Sequence, residues 1–198
     1  LATIYSECVV GDNIGPVDRR RRILMSEKKW DPNNISRGTK CFGTFHGSEC
    51  DGAFPKGFIK WLVKMNWWGE KRCYLCAGLV DDPEAFKVDI RPEMKPDLIA
   101  DATNTKLPEN EYDCVIIDPP YSRDLAKKLY GTEKHYYSIN KFASEGARIT
   151  KPNGLIVTLT YEIPRRVKGC NLIACWGVYT IPSRGPMRCL TVWQKEVT

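Results

Sequence analysis

Tyr112-Asp113-Cys114-Val115-Ile116-Ile117-Asp118-Pro119-Pro120-Tyr121 is the stretch on which the reading of the fold turns. Cys114 to Ile117 is an apolar run without polar alternation, the pattern of a short strand buried on both faces. It stops at a carboxylate followed by two prolines, which fix φ and remove two backbone donors. Working outward, residues 72–76, 86–90 and 97–100 are strand candidates upstream. Downstream, helical segments over 123–130 and 138–150 precede Lys151-Pro152-Asn153-Gly154, a turn by its chemistry, and then a buried strand over 155–160. Strands over 172–179 and 188–194, joined by Pro182-Ser183-Arg184-Gly185-Pro186, close the chain as an antiparallel hairpin. Strands alternating with helices predict an open α/β sheet, mostly parallel. Ligands of such sheets sit beyond the carboxyl ends of the strands, where Gly78 and Asp118 both fall.

The rest of the chain bounds this reading. Its 198 residues suit one domain, residues 51–198, preceded by an irregular cap over residues 1–50 with short strand candidates at 4–10 and 41–45. Pro55 and Gly57 introduce Phe58-Ile59-Lys60-Trp61-Leu62-Val63-Lys64-Met65, which reads as a buried helix ending near Gly69. No apolar run approaches the roughly 20 residues that cross a bilayer, so no membrane partner is expected. The chain starts at Leu1 rather than methionine, as a trimmed chain would, and Leu1–Tyr5 lacks the apolar core of a signal peptide. A cytoplasmic protein is the expectation. Nine cysteines, an odd number at irregular spacing and mostly inside apolar runs, read as buried thiols rather than a disulfide framework.

A net charge of +6 is unevenly spread, with blocks at Arg19-Arg20-Arg21-Arg22 and Arg165-Arg166-Val167-Lys168. Such blocks suit both a solvated surface and phosphate contacts. Metal ligation is not expected. Cys41, His46 and Cys50, with Cys8, lack paired knuckle spacing, and Cys73-x2-Cys76 falls in a strand whose successive side chains face oppositely.

Asp118-Pro119-Pro120-Tyr121 carries the chemistry. A carboxylate beside a rigid carbonyl suits a planar amino group with two N–H donors, and Tyr121 offers a face on which a flat ring can stack. A D-P-P-Y motif after a buried strand resembles the catalytic motif of the amino-group methyltransferases that modify adenine N6 or cytosine N4. The chain from about residue 44 to 195 resembles the broader class of Rossmann-like, class I S-adenosylmethionine-dependent methyltransferases. That resemblance implies a mostly parallel seven-stranded sheet with the C-terminal hairpin. It makes Asp118, Pro119, Pro120 and Tyr121 catalytic. Cys76-Ala77-Gly78 resembles the family's first cofactor motif, and Asp89, with Ile90 beside it, matches the acid that holds the cofactor ribose. Asp101-Ala102-Thr103 resembles the adenine-contacting segment, and Phe54-Pro55-Lys56-Gly57-Phe58 the segment over the methionine end.

The chain departs from the family pattern in the first motif. Tyr74 and Leu75 stand where an acid is usual, Gly78 is the one glycine, and the seven residues from Leu79 to Ala85 allow at most about two helical turns. Asp81 or Asp82 is the candidate to contact the cofactor's amino group instead. The basic and aromatic segment after the motif, with Ser122, Arg123, Lys134 and Tyr136 beside Tyr121, is the expected nucleic-acid contact. The expected function is methyl transfer to adenine N6 in DNA. The alternatives are an RNA substrate, cytosine N4 or guanine N2, and a non-catalytic binding module that retains the fold. No insertion is large enough for a target-recognition domain, so sequence specificity is expected either to be weak or to come from the N-terminal segment or a separate partner.

Overall fold

The computed structural model describes residues 31–43, 54–131, 138–181 and 187–197. One eight-stranded sheet runs through it. Its strands are β1 Ser36–Gly43, β2 Arg72–Leu75, β3 Phe86–Asp89, β4 Leu98–Ile99, β5 Tyr112–Ile117, β6 Thr150–Thr160, β7 Cys170–Ile181 and β8 Arg188–Lys195. They lie in the order β1-β7-β8-β6-β5-β2-β3-β4. β8 is antiparallel to both neighbours and the other pairings are parallel. The α-helices among the described residues are α1 Phe58–Lys64, α2 Arg123–Tyr130 and α3 Ile139–Ile149. None is long and apolar enough to cross a membrane.

β5 divides the core as its sequence requires. Cys114 and Ile116 enter the layer shared with α1, while Val115 and Ile117 enter the layer shared with α3. β6 repeats the division, with Leu155, Val157 and Leu159 on the first side and Ile156 on the second. Each such aliphatic side chain, fully buried, contributes about 1.5–3 kcal/mol. The α1 layer is aromatic, and Trp61 meets Phe42, Trp67 and Trp176 edge-on at 5.6, 5.5 and 5.4 Å. In the α3 layer the closest approach is at Gly146, where a Cβ would stand 2.8 Å from Ile117 Cδ1 and 3.3 Å from Ile156 Cγ2.

The sheet has eight strands rather than the expected seven because part of the segment read as an irregular cap joins it. β1 lies along β7 in parallel register, Ser36 beside Ala174 through Gly43 beside Ile181. Ser36-Arg37-Gly38-Thr39-Lys40 shows no apolar alternation, which is why it did not read as a strand. Trp176 explains its position: the indole Nε1 donates to Ser36 Oγ at 3.1 Å, and the ring lies where a Cβ on Gly38 would come within 2.8 Å. The other strand candidate of the cap, residues 4–10, lies outside the described residues, as does the 182–186 connection of the hairpin.

Two boundaries also differ. α1 ends at Lys64 with Met65 as its C-cap, before Gly69, because Asn66 takes a left-handed φ of 59°. The Lys151–Gly154 turn exists but interrupts β6 rather than preceding it. Tyr112 pairs with Thr150 and Cys114 with Leu155, so residues 151–154 bulge out, with Lys151 Nζ held 2.9 Å from Asp113 Oδ1. No helix follows β2: residues 76–85 hold turns and bends.

Gly146→Val tests the helix–sheet contact. Overpacking against Ile117 and Ile156 should lower stability by about 1–3 kcal/mol, read as a fall in the urea midpoint at unchanged slope. An unaltered midpoint would show that α3 is not held at that distance.

Candidate active site

Parallel β2, β3 and β5 end on one edge of the sheet, and their first residues beyond the strands meet there. The Asp118 amide extends the ladder weakly to the Leu75 carbonyl at 3.4 Å, Ala77 donates to Val88 at 3.0 Å, and Ala100 to Asp89 at 3.2 Å. Cys76 has φ 61° and Gly78 φ 53°, so the chain turns out of β2 through two left-handed residues. For Cys76 that is a strained conformation, at a place where glycine would be relaxed. The Cys76 thiol shows how the site is assembled. Burial pushes its pKa up, and the carboxylates of Asp89, Asp118 and Asp101 add to this, against the opposing Arg91 guanidinium. The structure thus brings Cys76, Ala77, Gly78, Asp89, Asp101 and Asp118 into one neighbourhood.

Asp89 is 1% exposed and holds that neighbourhood together. Its Oδ2 accepts from the Gly78 amide at 2.8 Å and from Arg91 Nη2 at 3.2 Å. Its Oδ1 accepts from the Arg91 amide at 2.9 Å and from Arg91 Nε at 3.1 Å. Ile90, between them, is half-buried. Asp101 accepts from the amide and hydroxyl of Thr103 at 2.8 and 2.7 Å, an Asx turn that carries the buried Ala102. Glu145 on α3 then anchors the loop, accepting from the Thr105 amide at 2.9 Å.

Some expected residues have other surroundings. Asp82 does not face the edge as a cofactor ligand. It is buried in an ion pair with Arg72, at 2.9 Å to Nε and 2.8 Å to Nη2, and accepts from the Tyr74 hydroxyl at 3.2 Å. Burial works to raise its pKa, and the Arg72 contact outweighs it and holds the carboxyl below its ordinary range. Asp81 is exposed. Phe54 is buried in the aromatic layer, stacked on Phe58 at 4.9 Å, and Pro55 is buried beside it. Cys41 lies in β1, whereas Cys8, His46 and Cys50 lie outside the described residues.

At the end of β5, Tyr121 donates its hydroxyl to Asp118 Oδ1, and its ring lies 4.6 Å from that of Tyr161. Arg188 Nη1 in turn donates to the Tyr121 hydroxyl at 3.2 Å. Burial raises Asp118 to a pKa of about 6, against the downward pull of the Tyr121 hydrogen bond and the Arg188 charge. An open concavity of about 270 Å³, solvent at its mouth included, lies between Pro119, Pro120 and Tyr121 on one strand end and Thr160, Tyr161 and Glu162 on the other. Ser122 caps α2, its Oγ accepting from the Leu125 amide at 3.1 Å, and Arg123 is exposed next to it. Arg165 and Arg166 are exposed on the loop after β6, which is tied to α3 by the Arg165 amide and Asn140 Oδ1 at 3.0 Å. Lys134 and Tyr136 lie outside the described residues.

Comparison with solved structures matches this arrangement of strands. The TrmN protein of Thermus thermophilus superposes with a TM-score of 0.53 at 17% identity, over 72% of this chain and 49% of that one. A 1,6-didemethyltoxoflavin-N1-methyltransferase of Burkholderia thailandensis, with 1,6-didemethyltoxoflavin and S-adenosylhomocysteine bound, gives 0.46 at 10% identity, over 70% of this chain and 76% of that one. The fold is that of the class I methyltransferases. The chain spans about half the length of TrmN. No protein-family model matches it, and neither does any curated protein.

Sequence reading missed three members of the site. Arg91 stands two residues after Asp89, and an arginine so close to a strand-ending acid is a signal that could have been used. Tyr161 follows the strand predicted over 155–160 directly, so its arrival at the same edge was also foreseeable. Arg188 had no such signal, since 67 positions separate it from Tyr121.

Two substitutions separate structural from chemical roles. Asp82→Ala leaves the buried Arg72 with only the longer contact to the exposed Glu84 at 3.3 Å as a counter-charge, and should cost about 3 kcal/mol of stability; a negligible loss in denaturant titration would make Asp82 a candidate cofactor ligand again. Asp118 behaves oppositely. A carboxyl raised in the fold favours the native state below its unfolded value, near pH 4, and loses that stability as pH rises through about 6. Asp118→Asn should therefore be more stable than the parent by about 3 kcal/mol at pH 8, with the difference gone at pH 4. Equal melting temperatures at both pH values would mean that Asp118 is well solvated.

Proposed function

We propose that the chain binds S-adenosylmethionine where β2 and β3 end and transfers its methyl group to an exocyclic amino group of a nucleobase held at Asp118-Pro119-Pro120-Tyr121. The observation that supports this reading is that parallel β2, β3 and β5 end on one edge of the sheet, where the Asp89 carboxylate accepts from the Gly78 amide at 2.8 Å and the Asp118 amide reaches the Leu75 carbonyl at 3.4 Å. The donor set fits such a cofactor. Two of the four bonds that Asp89 accepts come from the Arg91 guanidinium, a planar fork of N–H donors on Oδ1 and Oδ2. A ribose presents the same thing, two adjacent hydroxyl donors, and takes the place of that fork while Gly78 keeps its amide bond. The bound cofactor supplies an electrophilic methyl group on a sulfonium.

The residues of the chain do the rest. The amino nitrogen of a base is a weak nucleophile because its lone pair is delocalised into the ring. Asp118 and the Pro119 carbonyl accept its two N–H bonds, which favours a pyramidal nitrogen with the lone pair directed outward. Pro120, without an N–H, leaves that carbonyl's surroundings free of a competing donor. As the nitrogen becomes positive, the Asp118 carboxylate beside it stabilises the charge. A carboxyl near pH 6 can then take the proton on Oδ2. Tyr121 and Tyr161 border the concavity beside the motif, and a base from a duplex is flipped out to reach it.

The D-P-P-Y sequence favours adenine N6 in DNA as the acceptor. Arg123, Arg165 and Arg166, exposed around the concavity, suit the phosphates of a strand. Incubation with the cofactor and separate pools of DNA and RNA, followed by nucleoside mass spectrometry, tests both levels. N6-methyladenine in the DNA pool is the expected product. Methylation confined to RNA keeps the mechanism and moves the substrate, and no product in either pool overturns the reading. Asp118→Ala should abolish transfer with cofactor affinity retained, whereas Asp89→Ala should weaken the cofactor by about 2 kcal/mol, the scale of lost charged hydrogen bonds. Full turnover by the first, or an unchanged dissociation constant in the second, removes that residue from its role.

A further inference from the structure

β8 is the antiparallel strand of the sheet, so it begins at the edge where the parallel strands end. Its second residue, Cys189, pairs with Thr160 at the end of β6, and its first, Arg188, pairs with Val178 of β7. A half-buried guanidinium is thereby delivered to the acceptor side of the crevice from the far end of the chain. Nη1 donates to the Tyr121 hydroxyl at 3.2 Å, and that hydroxyl donates to Asp118 Oδ1. Among the described residues no hydrogen bond goes to Oδ2 of Asp118, which leaves that oxygen to the acceptor.

Resting on the function proposed above, we propose that Arg188 is a positioning residue of the transfer reaction, which orders Tyr121 against Asp118 and supplies the positive charge that keeps this carboxylate anionic. The groups that face Asp118 are few. Cys76 approaches from the end of β2, Tyr121 from its own loop and Arg188 from β8, with Tyr161 beyond Arg188 after β6. Among the described residues Arg188 is the one cation that acts on Asp118. Burial works against its charge, and the neighbouring Tyr121, Asp118 and Tyr161 outweigh that, so the guanidinium stays charged while it opposes the effect of burial on Asp118. The arrangement has a consequence that a packing role does not. Without the cation, Asp118 stays protonated to higher pH, and a carboxyl protonated on Oδ2 cannot accept the amino N–H there or balance the charge that develops on nitrogen.

The test compares Arg188→Met, which keeps the aliphatic stem, and Arg188→Gln, which keeps a donor for Tyr121 without the charge, with Arg188→Lys. Single-turnover methyl transfer is followed from pH 5 to pH 9, and the Asp118 carboxyl is titrated by 13C NMR without substrate. In the Met and Gln variants the midpoint should rise by about one pH unit. Transfer should fall about tenfold at pH 5, the equivalent of that shift, with the deficit closing by pH 9. Lysine should restore both. A deficit equal at pH 5 and pH 9, or an unmoved midpoint, overturns the proposal even in an active enzyme. A moved midpoint in a protein that transfers no methyl group removes the methyltransferase reading while Arg188's hold on Asp118 stands.

Discussion

Everything at the site depends on β5 being buried on both faces in the middle of the sheet. A strand with side chains in two cores cannot tilt or slip by one residue, because each slip would send an apolar set to the wrong layer and the neighbouring polar groups inward. Its end is therefore fixed in space, and so is Asp118, the first residue beyond it. β2 lies on one side of β5 and β6 on the other. The chain leaves β5 beside the place where strand order reverses, which in parallel sheets opens a crevice between diverging connections. The two prolines after Asp118 stiffen that exit.

The electrostatics of the crevice follow from the same placement. Parallel strands ending together put Asp89, Asp101 and Asp118 near one thiol, an arrangement that repels itself unless it is compensated. Each carboxylate has a different solution. Asp89 is held on both oxygens by Gly78 and Arg91, Asp101 by the turn it caps, and Asp118 by Tyr121 on one oxygen and by the Arg188 charge. Asp118 is the least compensated of the three, and a carboxyl with a raised pKa in a concave site is the kind of group from which chemistry is expected. Asp82, paired with Arg72 and lowered instead, marks the contrast between an acid fixed in an ion pair and one that burial raises.

The fold itself is economical. Residues 76–85 carry no helix after β2, and a 3-10 turn, Pro92–Met94, is the only helical piece between β3 and β4 among the described residues. Aromatic packing takes over part of the missing work. Six large rings, from Phe42, Phe54, Phe58, Trp61, Trp67 and Trp176, meet around α1 and tie β1 and β7 to the sheet. Large rigid rings bury much area at low entropic cost, which suits a domain with few helices.

The order of strands and helices, the two-sided burial of β5 and the exit at Asp118 were determined by sequence alone. Hydrophobic periodicity and proline chemistry are local properties, and the residues that express them adjoin one another. The turn at Lys151–Gly154 was legible for the same reason, although its place inside β6 was not, since a bulge is defined by its partner strand. The tertiary structure alone decided that the polar stretch Ser36–Gly43 is a strand, because its order comes from Trp176 far along the chain. It alone committed Asp82 to Arg72, turned the Tyr121 hydroxyl onto Asp118 and set Arg91 across Asp89. It also brought Arg188 to Tyr121, by running β8 against its neighbours so that the start of one strand meets the ends of the others. Pairings of that kind join residues distant in sequence, and no local pattern of apolar and polar residues encodes which of several charges will meet.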